Sequence, residues 1–549
     1  MTDVADISAE PTPSTPSSLA TQVVHKAMTQ RQIILVMVGL MLGMFLAALD
    51  QTIIATALPV IVGHLGGIHY LSWVVAAYLL TSTITTPLYG KISDLYGRKG
   101  VFQLAIVIFL VGSALSGLSQ NIWELIGFRA LQGLGGGGLM ALSMAIIGDI
   151  VSPRERGKYQ GFFGMVFAVA TIVGPLLGGF LVEQFSWRWV FYINVPIGIV
   201  ALAVTGTVLK FDFLKRKRSI DYTGSALIMG SVSSLLLVTV WGGTQYSWSS
   251  PIIIWLAVLG VVGVLVTLWW ESRAEEPIIP LYLFRNSIFN IASLVSFILA
   301  LTMFGAIIYL PVYFQLVRAD SPILSGLMLT PIMLGMIVTS TGTGFLVSKT
   351  GRYKIYPIIG CAIMAVALYL MSNFTISLSY SSLAWKMVLL GVGMGMIMQN
   401  MVIATQNSVD PRELGTATSA NSFFRTLGGA FGTALLGTIL DSRLNYWLPK
   451  LLPASISGKV SKHSINLVNS PAIVKALPPA IRSGVREAFV RSLHTEFIVT
   501  VPFALLALVL SFALKEVGLR TTTGLHASSQ ADHDEALEGS KIRESELTQ

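Results

Sequence analysis

Charge is what this sequence has least of. Only 11% of its 549 residues are Asp, Glu, Lys or Arg, against 53% hydrophobic residues and a mean hydropathy of +0.72. Such a chain cannot cover itself with water-compatible surface over most of its length, which excludes a soluble globular protein and indicates a polytopic membrane protein. It has one cysteine, Cys361, inside an apolar run, so neither an intrachain disulfide nor a cysteine metal cluster can form. H-E-x-x-H, G-x-S-x-G and Walker A sequences are all missing, as are paired acids within the apolar segments, so the chain reads as no enzyme and as no direct user of ATP. No metal or other cofactor is expected. The net charge of +9 does not indicate a nucleic-acid partner, because the basic residues are scattered through short loops rather than gathered in a patch.

What the chain does have is apolar length. Fourteen apolar segments lie between residues 33 and 514, each near the roughly 20 residues that a spanning helix needs. Residues 1–30, rich in Ser, Thr and Pro, lack the basic start of a cleaved signal peptide and read as a disordered tail; residues 515–549 read as a second one. An even number of spans puts both tails on one side. Loops on that side hold 17 Lys and Arg, against three (Arg188, Arg318 and Lys386) in the opposite short loops, which makes the tail side cytoplasmic and the chain a multi-pass protein of the cell membrane. The 441–492 segment, with eight more basic residues, is expected as a long loop outside.

The chain also repeats itself. "GKISDLYGRKG" (90–100) returns as "GFLVSKTGRYK" (344–354) at an offset of 254, and "PRERG" (153–157) returns as "PRELG" (411–415) at an offset of 258. This divides the chain into an N-terminal six-helix bundle (31–210), a basic linker with two additional helices (211–286) and a C-terminal six-helix bundle (287–514). The expected fold class is therefore an all-α membrane protein with two six-helix bundles plus two extra helices.

Two charges stand deep within the apolar segments of the first half. Asp50, in "FLAALDQTIIATALP" (45–59), lies about 25 Å along the first helix at 1.5 Å per residue. Taking a carboxylate out of water favours its neutral form, so Asp50 is a candidate for reversible proton binding; the alternative is an acid that only holds helices together. Arg129 opens the oppositely running fourth helix at a matching level and is the candidate counter-charge, unless it reaches outward to Glu124. Gly133, Gly135 and Gly138 fit G-x-G-x-x-G, but they are in the middle of a span with no preceding strand, so they read as helix-packing residues. Asp94 is expected to face the N-terminal end of the third helix and Arg98 to reach Asp149 at the end of the fourth, with Gly90 and Gly97 framing the loop. Tyr78, Gln132, Tyr309, Gln399, Asn400, Asn421, Phe424 and Arg425 are polar or aromatic residues deep in spans and are candidates for a substrate cavity.

"LDQTIIATALP" (49–59), "GKISDLYGRKG", "RALQGLGGGG" (129–138) and "GPLLGG" (174–179), followed by "SWRWVFYINVP" (186–196), resemble the motif set of the fourteen-helix drug:proton antiporters of the major facilitator superfamily, the EmrB/QacA type. The resemblance runs from 33 to 514. It implies a major facilitator fold and proton-coupled export of hydrophobic, cationic or zwitterionic small molecules by alternating access. It further implies proton coupling at Asp50 and Arg129, and a conformational lock at Gly90, Asp94, Gly97, Arg98 and Asp149. Gly174, Pro175, Gly178 and Gly179 correspond to its antiporter motif. The implied partners are small hydrophobic or cationic molecules, protons and the lipid bilayer, with the protein as a monomer. Export of a dedicated lipid or metabolite is the alternative, and a membrane receptor or sensor a further one. One departure is Ser348, which stands in the second loop where Asp94 stands in the first.

Overall fold

In a computed structural model, residues 30–519 are described apart from 66–70, 210–220, 243–245, 275–276, 374, 453–473 and 475–476. Of the expected tails, residues 1–29 and 520–549 lie outside the described residues, as does the basic run 214–219. The described chain is helical, as it must be where no water is present to satisfy free backbone groups.

The first bundle comprises α1 (Gln30–Leu65), α2 (Leu71–Tyr96), α3 (Arg98–Leu118), α4 (Ile122–Ile150), α5 (Pro153–Gln184), α6 (Trp189–Tyr192) and α7 (Asn194–Val208). The additional pair is α8 (Tyr222–Trp241) and α9 (Pro251–Glu271). The second bundle comprises α10 (Ser287–Leu316), α11 (Pro322–Leu327), α12 (Thr330–Thr350), α13 (Ile355–Ser372), α14 (Tyr380–Asn407), α15 (Leu414–Leu451) and α16 (Pro479–Ala513). Two expected spans are thus each delivered as a short helix followed by a longer one, at α6–α7 and α11–α12. Thirteen helices among the described residues are long and apolar enough to cross a membrane, and the 26-residue α2 completes the fourteen.

The helix ends follow local chemistry. Asn121 caps α4 by accepting from the Glu124 N–H at 2.9 Å, while Glu124 accepts from the Asn121 side chain at 2.7 Å, which leaves Glu124 occupied at the helix start rather than paired with Arg129. Ser250, Ser321 and Ser379 cap α9, α11 and α14 in the same manner. Gly97 and Gly351, which are 254 residues apart, both have positive φ (96° and 72°), so the two loop copies share a backbone turn as well as letters.

The glycines of α4 face neighbouring backbones. A Cβ on Gly135 would meet the Ala105 carbonyl and the Phe109 N–H of α3, each at 2.5 Å, and one on Gly133 would meet the Tyr78 carbonyl of α2 at the same distance. Close packing of bare backbone is the means by which membrane helices associate when the solvent is itself apolar.

Two expectations need correction. The segment 441–492 is not a loop throughout: α15 continues to Leu451 and α16 begins at Pro479. A helix leaving the bilayer keeps its hydrogen bonds without apolar side chains, so hydropathy alone marks its end too early. Lys386, counted above as a loop charge, is a buried residue one and a half turns into α14.

The bundles meet along two seams, α2 with α15 and α5 with α12, and α8 packs on the first of these. Ile228, Val232 and Leu236 of α8 join Ile84 of α2 and Phe423 of α15 in one apolar cluster. Asp221 fixes the additional pair by capping α8, accepting from Gly224 N–H at 2.8 Å, and by accepting from the Trp270 indole of α9 at 2.9 Å.

Candidate functional site

Asp50 lies at the centre of a buried polar cluster. Its carboxylate accepts from Arg129 Nη1 at 2.6 Å, Gln132 Nε2 at 2.9 Å and Asn194 Nδ2 at 3.1 Å. Arg129 also donates to Gln132 Oε1 at 2.7 Å, and its guanidinium stacks on the Tyr78 ring at 4.4 Å. Asn194 holds Ser113 at 3.0 Å, and Ser113 in turn donates to the Phe191 carbonyl at 2.9 Å. Two turns of logic in the sequence make this possible: Arg129 and Gln132 are three apart on α4 and share a face, and Asn194 opens α7 where the helix restarts. Next to Asp50, Thr52 donates to the Ala170 carbonyl of α5 at 2.9 Å, and Gly174 leaves room for Thr52. Five spans of the first bundle thus contribute to the cluster, and α5 lies beside it through Thr52.

The cluster is buried and nearly complete, with Asp50, Gln132 and Asn194 each 0% exposed. Arg129 Nε and Asn194 Oδ1 lack partners within it. A buried ion pair with its lone pairs satisfied is stable as a unit, and removing one member costs about 3–5 kcal/mol because a bare charge stays behind.

A second cluster closes the end of the molecule that carries the 90–100 loop. Arg98 pairs with Asp149 at 2.6 Å and with Asp94 at 2.5 Å, and it also donates to Ser93 Oγ. The other oxygen of Asp94 does not serve α3 as expected. It accepts the Thr416 N–H and hydroxyl, both at 2.8 Å, across the seam at the start of α15. Residues at the beginning of a helix have free N–H groups and a positive end, so α15 is a better partner for the acid than α3, whose first turn holds the cation Arg98. Gly415 and Gly90 make the approach possible. A Cβ at Gly415 would collide with Arg98 and Asp94, and one at Gly90 would meet Ser419 Oγ at 2.5 Å.

Arg156 forms a further tie that the sequence reading missed. It is buried, donates to the Val151 carbonyl at 2.9 Å and the Gly148 carbonyl, and reaches Gln406 of α14 at 3.0 Å. Gln406 then donates to the Met144 carbonyl of α4 and to Thr418 of α15, both at 3.1 Å. Here the signal was present, since Arg156 lies in "PRERG", the repeated pentapeptide.

The remaining candidates do not form one cavity. Tyr78 and Gln132 belong to the Asp50 cluster. Phe424 meets Phe284 edge to face at 6.2 Å and packs in the α8 seam. Asn421 is bonded to Ser296 of α10 at 3.3 Å, and Asn400 donates back to Met396 O in its own helix at 2.7 Å. Gln399 Nε2 is buried without a partner among the described residues, Tyr309 donates to the Thr433 carbonyl at 3.3 Å, and Arg425 is half-buried. Pro175 lies 3.3 Å from where a Cβ of Gly326 in α11 would sit, which places this motif residue on the second seam; Gly178 is buried and Gly179 half-buried.

Two bundles of bilayer-length helices, tied at one end and carrying buried charge in the interior, define a membrane transporter rather than an enzyme. The comparisons with known proteins agree. The profile of the Major Facilitator Superfamily matches residues 40–433, and the chain belongs to this family. It is 37% identical over 506 residues to "Multidrug transporter protein MdtP" of Bacillus subtilis (strain 168), covering 88% of this chain and 93% of that one. It is 34% identical over 486 residues to "Multidrug resistance protein 3" of the same organism, covering 87% and 94%. Among solved structures, the proton:xylose symporter XylE superposes with a TM-score of 0.60 at 13% identity, over 92% of this chain and 100% of that one, a likeness of fold. The chain is a major facilitator of the multi-pass membrane class, handling small molecules within a lipid bilayer.

Proposed function

We propose that this transporter is a proton-coupled exporter of hydrophobic, cationic small molecules, working by alternating access between bundles 31–210 and 287–514. The single observation that carries this reading is the burial of Asp50 against Arg129, Gln132 and Asn194, which ties one titratable acid of α1 to α4 and α7. The names of the relatives, a multidrug transporter and a multidrug resistance protein, support export of several substrates. When a proton binds Asp50, the attraction that holds Arg129 falls away, and the cluster carries one more positive charge. A cationic substrate is then disfavoured nearby, so proton and substrate exclude each other through the field rather than by sharing one contact. Asp94, Arg98, Asp149 and Thr416 act as the lock that closes the tail side, which the positive-inside rule makes cytoplasmic.

Arg425 favours a second reading of substrate charge. It lies eleven residues into α15, has no hydrogen bond or ion pair among the described residues, and is only half-buried. A guanidinium held there suits a carboxylate or phenolate, so zwitterionic molecules fit both clusters.

Reconstituted vesicles with an imposed pH gradient test the function. The expected result is accumulation of a lipophilic cation such as ethidium against its gradient, collapsing when a protonophore is added; export unaffected by the protonophore rules out proton coupling. The orientation is checked separately. In a Cys361→Ser background, a cysteine placed between residues 453 and 473 should react with an impermeant thiol reagent outside intact cells, and one within 214–219 should not. The opposite labelling pattern reverses the topology and the direction of transport.

A further inference from the structure

A second acid is buried in the membrane region, and the cluster around Asp50 does not use it. Glu496, on α16, is 1% exposed, and its Oε2 has no hydrogen-bond partner among the described residues. Across from it, a Cβ built on Gly305 of α10 would lie 3.4 Å from Glu496 Oε1, and Tyr309 of α10 lies within its electrostatic reach. From α15 the neighbours at this level are Thr433, whose carbonyl accepts the Tyr309 hydroxyl at 3.3 Å, and Leu436, which packs on Gly305. From α13, the thiol of Cys361 is held by Ser511 at 3.5 Å, about 22 Å further along α16. On α16 itself, His494 turns to the Ser372 carbonyl at 2.9 Å, and Arg486 faces Tyr313. Tyr309 is therefore the titratable group facing Glu496, and among the described residues no cation accompanies it.

The internal repeat gives this position a meaning. Gly305 stands 255 residues after Asp50, one more than the offset of the loop copies, and Lys386 stands 257 after Arg129. The second bundle thus carries a carboxyl where the first carries Asp50, but delivered by its last helix into the space that a side chain at Gly305 would fill. Lys386 is buried in α14, as Arg129 is in α4, yet it forms no ion pair with Glu496. The two halves share a layout and differ in whether the acid is held by a counter-charge.

We propose that Glu496, with Tyr309 beside it, is a second proton-carrying site, so that each cycle exchanges two protons for one substrate. The inference rests on the proton coupling proposed above. An uncompensated carboxylate at this depth is strongly disfavoured, and a bound proton removes the charge without moving a helix. The step is a simple exchange: an O–H bond forms on Glu496 as one breaks in a hydronium ion on one side, leaving water, and it breaks again when the site opens to the other side and a water molecule there takes the proton. Asp50 has Arg129 as its counter-charge, whereas among the described residues no cation accompanies Glu496, so the two sites load under different conditions.

Infrared difference spectroscopy on the purified full-length protein near neutral pH reads the site without any substrate. The wild type should show a protonated-carboxyl band that vanishes in Glu496→Gln; an unchanged band overturns the proposal. If Glu496→Gln fails to reach the membrane, Glu496→Asp decides, since the band must then shift rather than stay in place. Proteoliposomes with the membrane potential clamped to zero give the stoichiometry. At one unit of pH difference, two protons sustain about a hundredfold ethidium gradient and one proton about tenfold. The expected result is a hundredfold gradient in the wild type, reduced to tenfold in Glu496→Gln. Equal gradients in the two proteins overturn the second site while leaving proton coupling intact, whereas no gradient in the wild type removes the coupling itself.

Discussion

Asp50→Asn should abolish uphill export in energised vesicles while exchange of substrate down its gradient persists. The motive is the saturated cluster in which Arg129, Gln132 and Asn194 all donate to one carboxylate. An amide has the same shape but cannot bind and release a proton, so the link between the gradient and the conformational cycle is cut. The drive lost is substantial, since each charge moved across the membrane is worth about 2.3 kcal/mol per 100 mV. The substitution also leaves Arg129 buried without its counter-charge, and thermal stability should fall with it, by about 3–5 kcal/mol at most. Substrate binding supplies the sharper check. In the wild type, affinity for a fluorescent cation should rise with pH, because the ionised acid compensates Arg129 and removes the repulsion of an incoming positive charge. In Asp50→Asn that dependence should flatten from about pH 5 to 9. Matching pH-dependent curves for the two proteins would place the relevant proton elsewhere.

Arg98→Ala and Gly415→Val should both break the lock, from opposite sides of the seam. Removing Arg98 leaves Asp94 and Asp149 buried without their shared cation, a loss of about 3–5 kcal/mol that falls on the conformation in which Asp94 reaches Thr416. A shift of that size changes the balance between conformations by a factor of about 100 or more. Gly415→Val removes no charge at all, yet its side chain occupies the place of the Arg98 guanidinium and Asp94. Transport should therefore fall at least about tenfold in both, with equilibrium binding of substrate largely retained. The measurement is turnover and binding on the same purified samples. Normal turnover in Gly415→Val would show that the contact between Asp94 and α15 has no part in the cycle.

The parts of the fold that the bilayer dictates were legible in the sequence. Each apolar run is a helix because hydrocarbon leaves the backbone no alternative, and Asp50 and Arg129 were visible as charges where none is cheap. Arg98 with Asp149 could be anticipated because both lie at ends of helices on one face. Thr416, by contrast, is 322 residues from Asp94 and looks like any threonine in a helix, so only the packing of two bundles reveals it. Asn194 is the sole Asn of its apolar segment, a signal that was available but lay within a motif noted for its aromatics. Glu496 was hidden by its position, since the charged run "RSGVREAFVRSLHTE" ahead of it makes the acid look like the end of a loop. The structure extends α16 through that run, so the acid lies inside the bundle and not at its rim.

The additional pair α8 and α9 changes how the transporter faces its lipid surroundings. Of the two seams where the bundles meet, the one between α2 and α15 is roofed by Ile228, Val232 and Leu236, while the one between α5 and α12, where Pro175 lies against Gly326, has no such cover among the described helices. The two flanks of the transporter thus offer the bilayer unlike surfaces, a further layer of apolar side chains on one and the seam itself on the other.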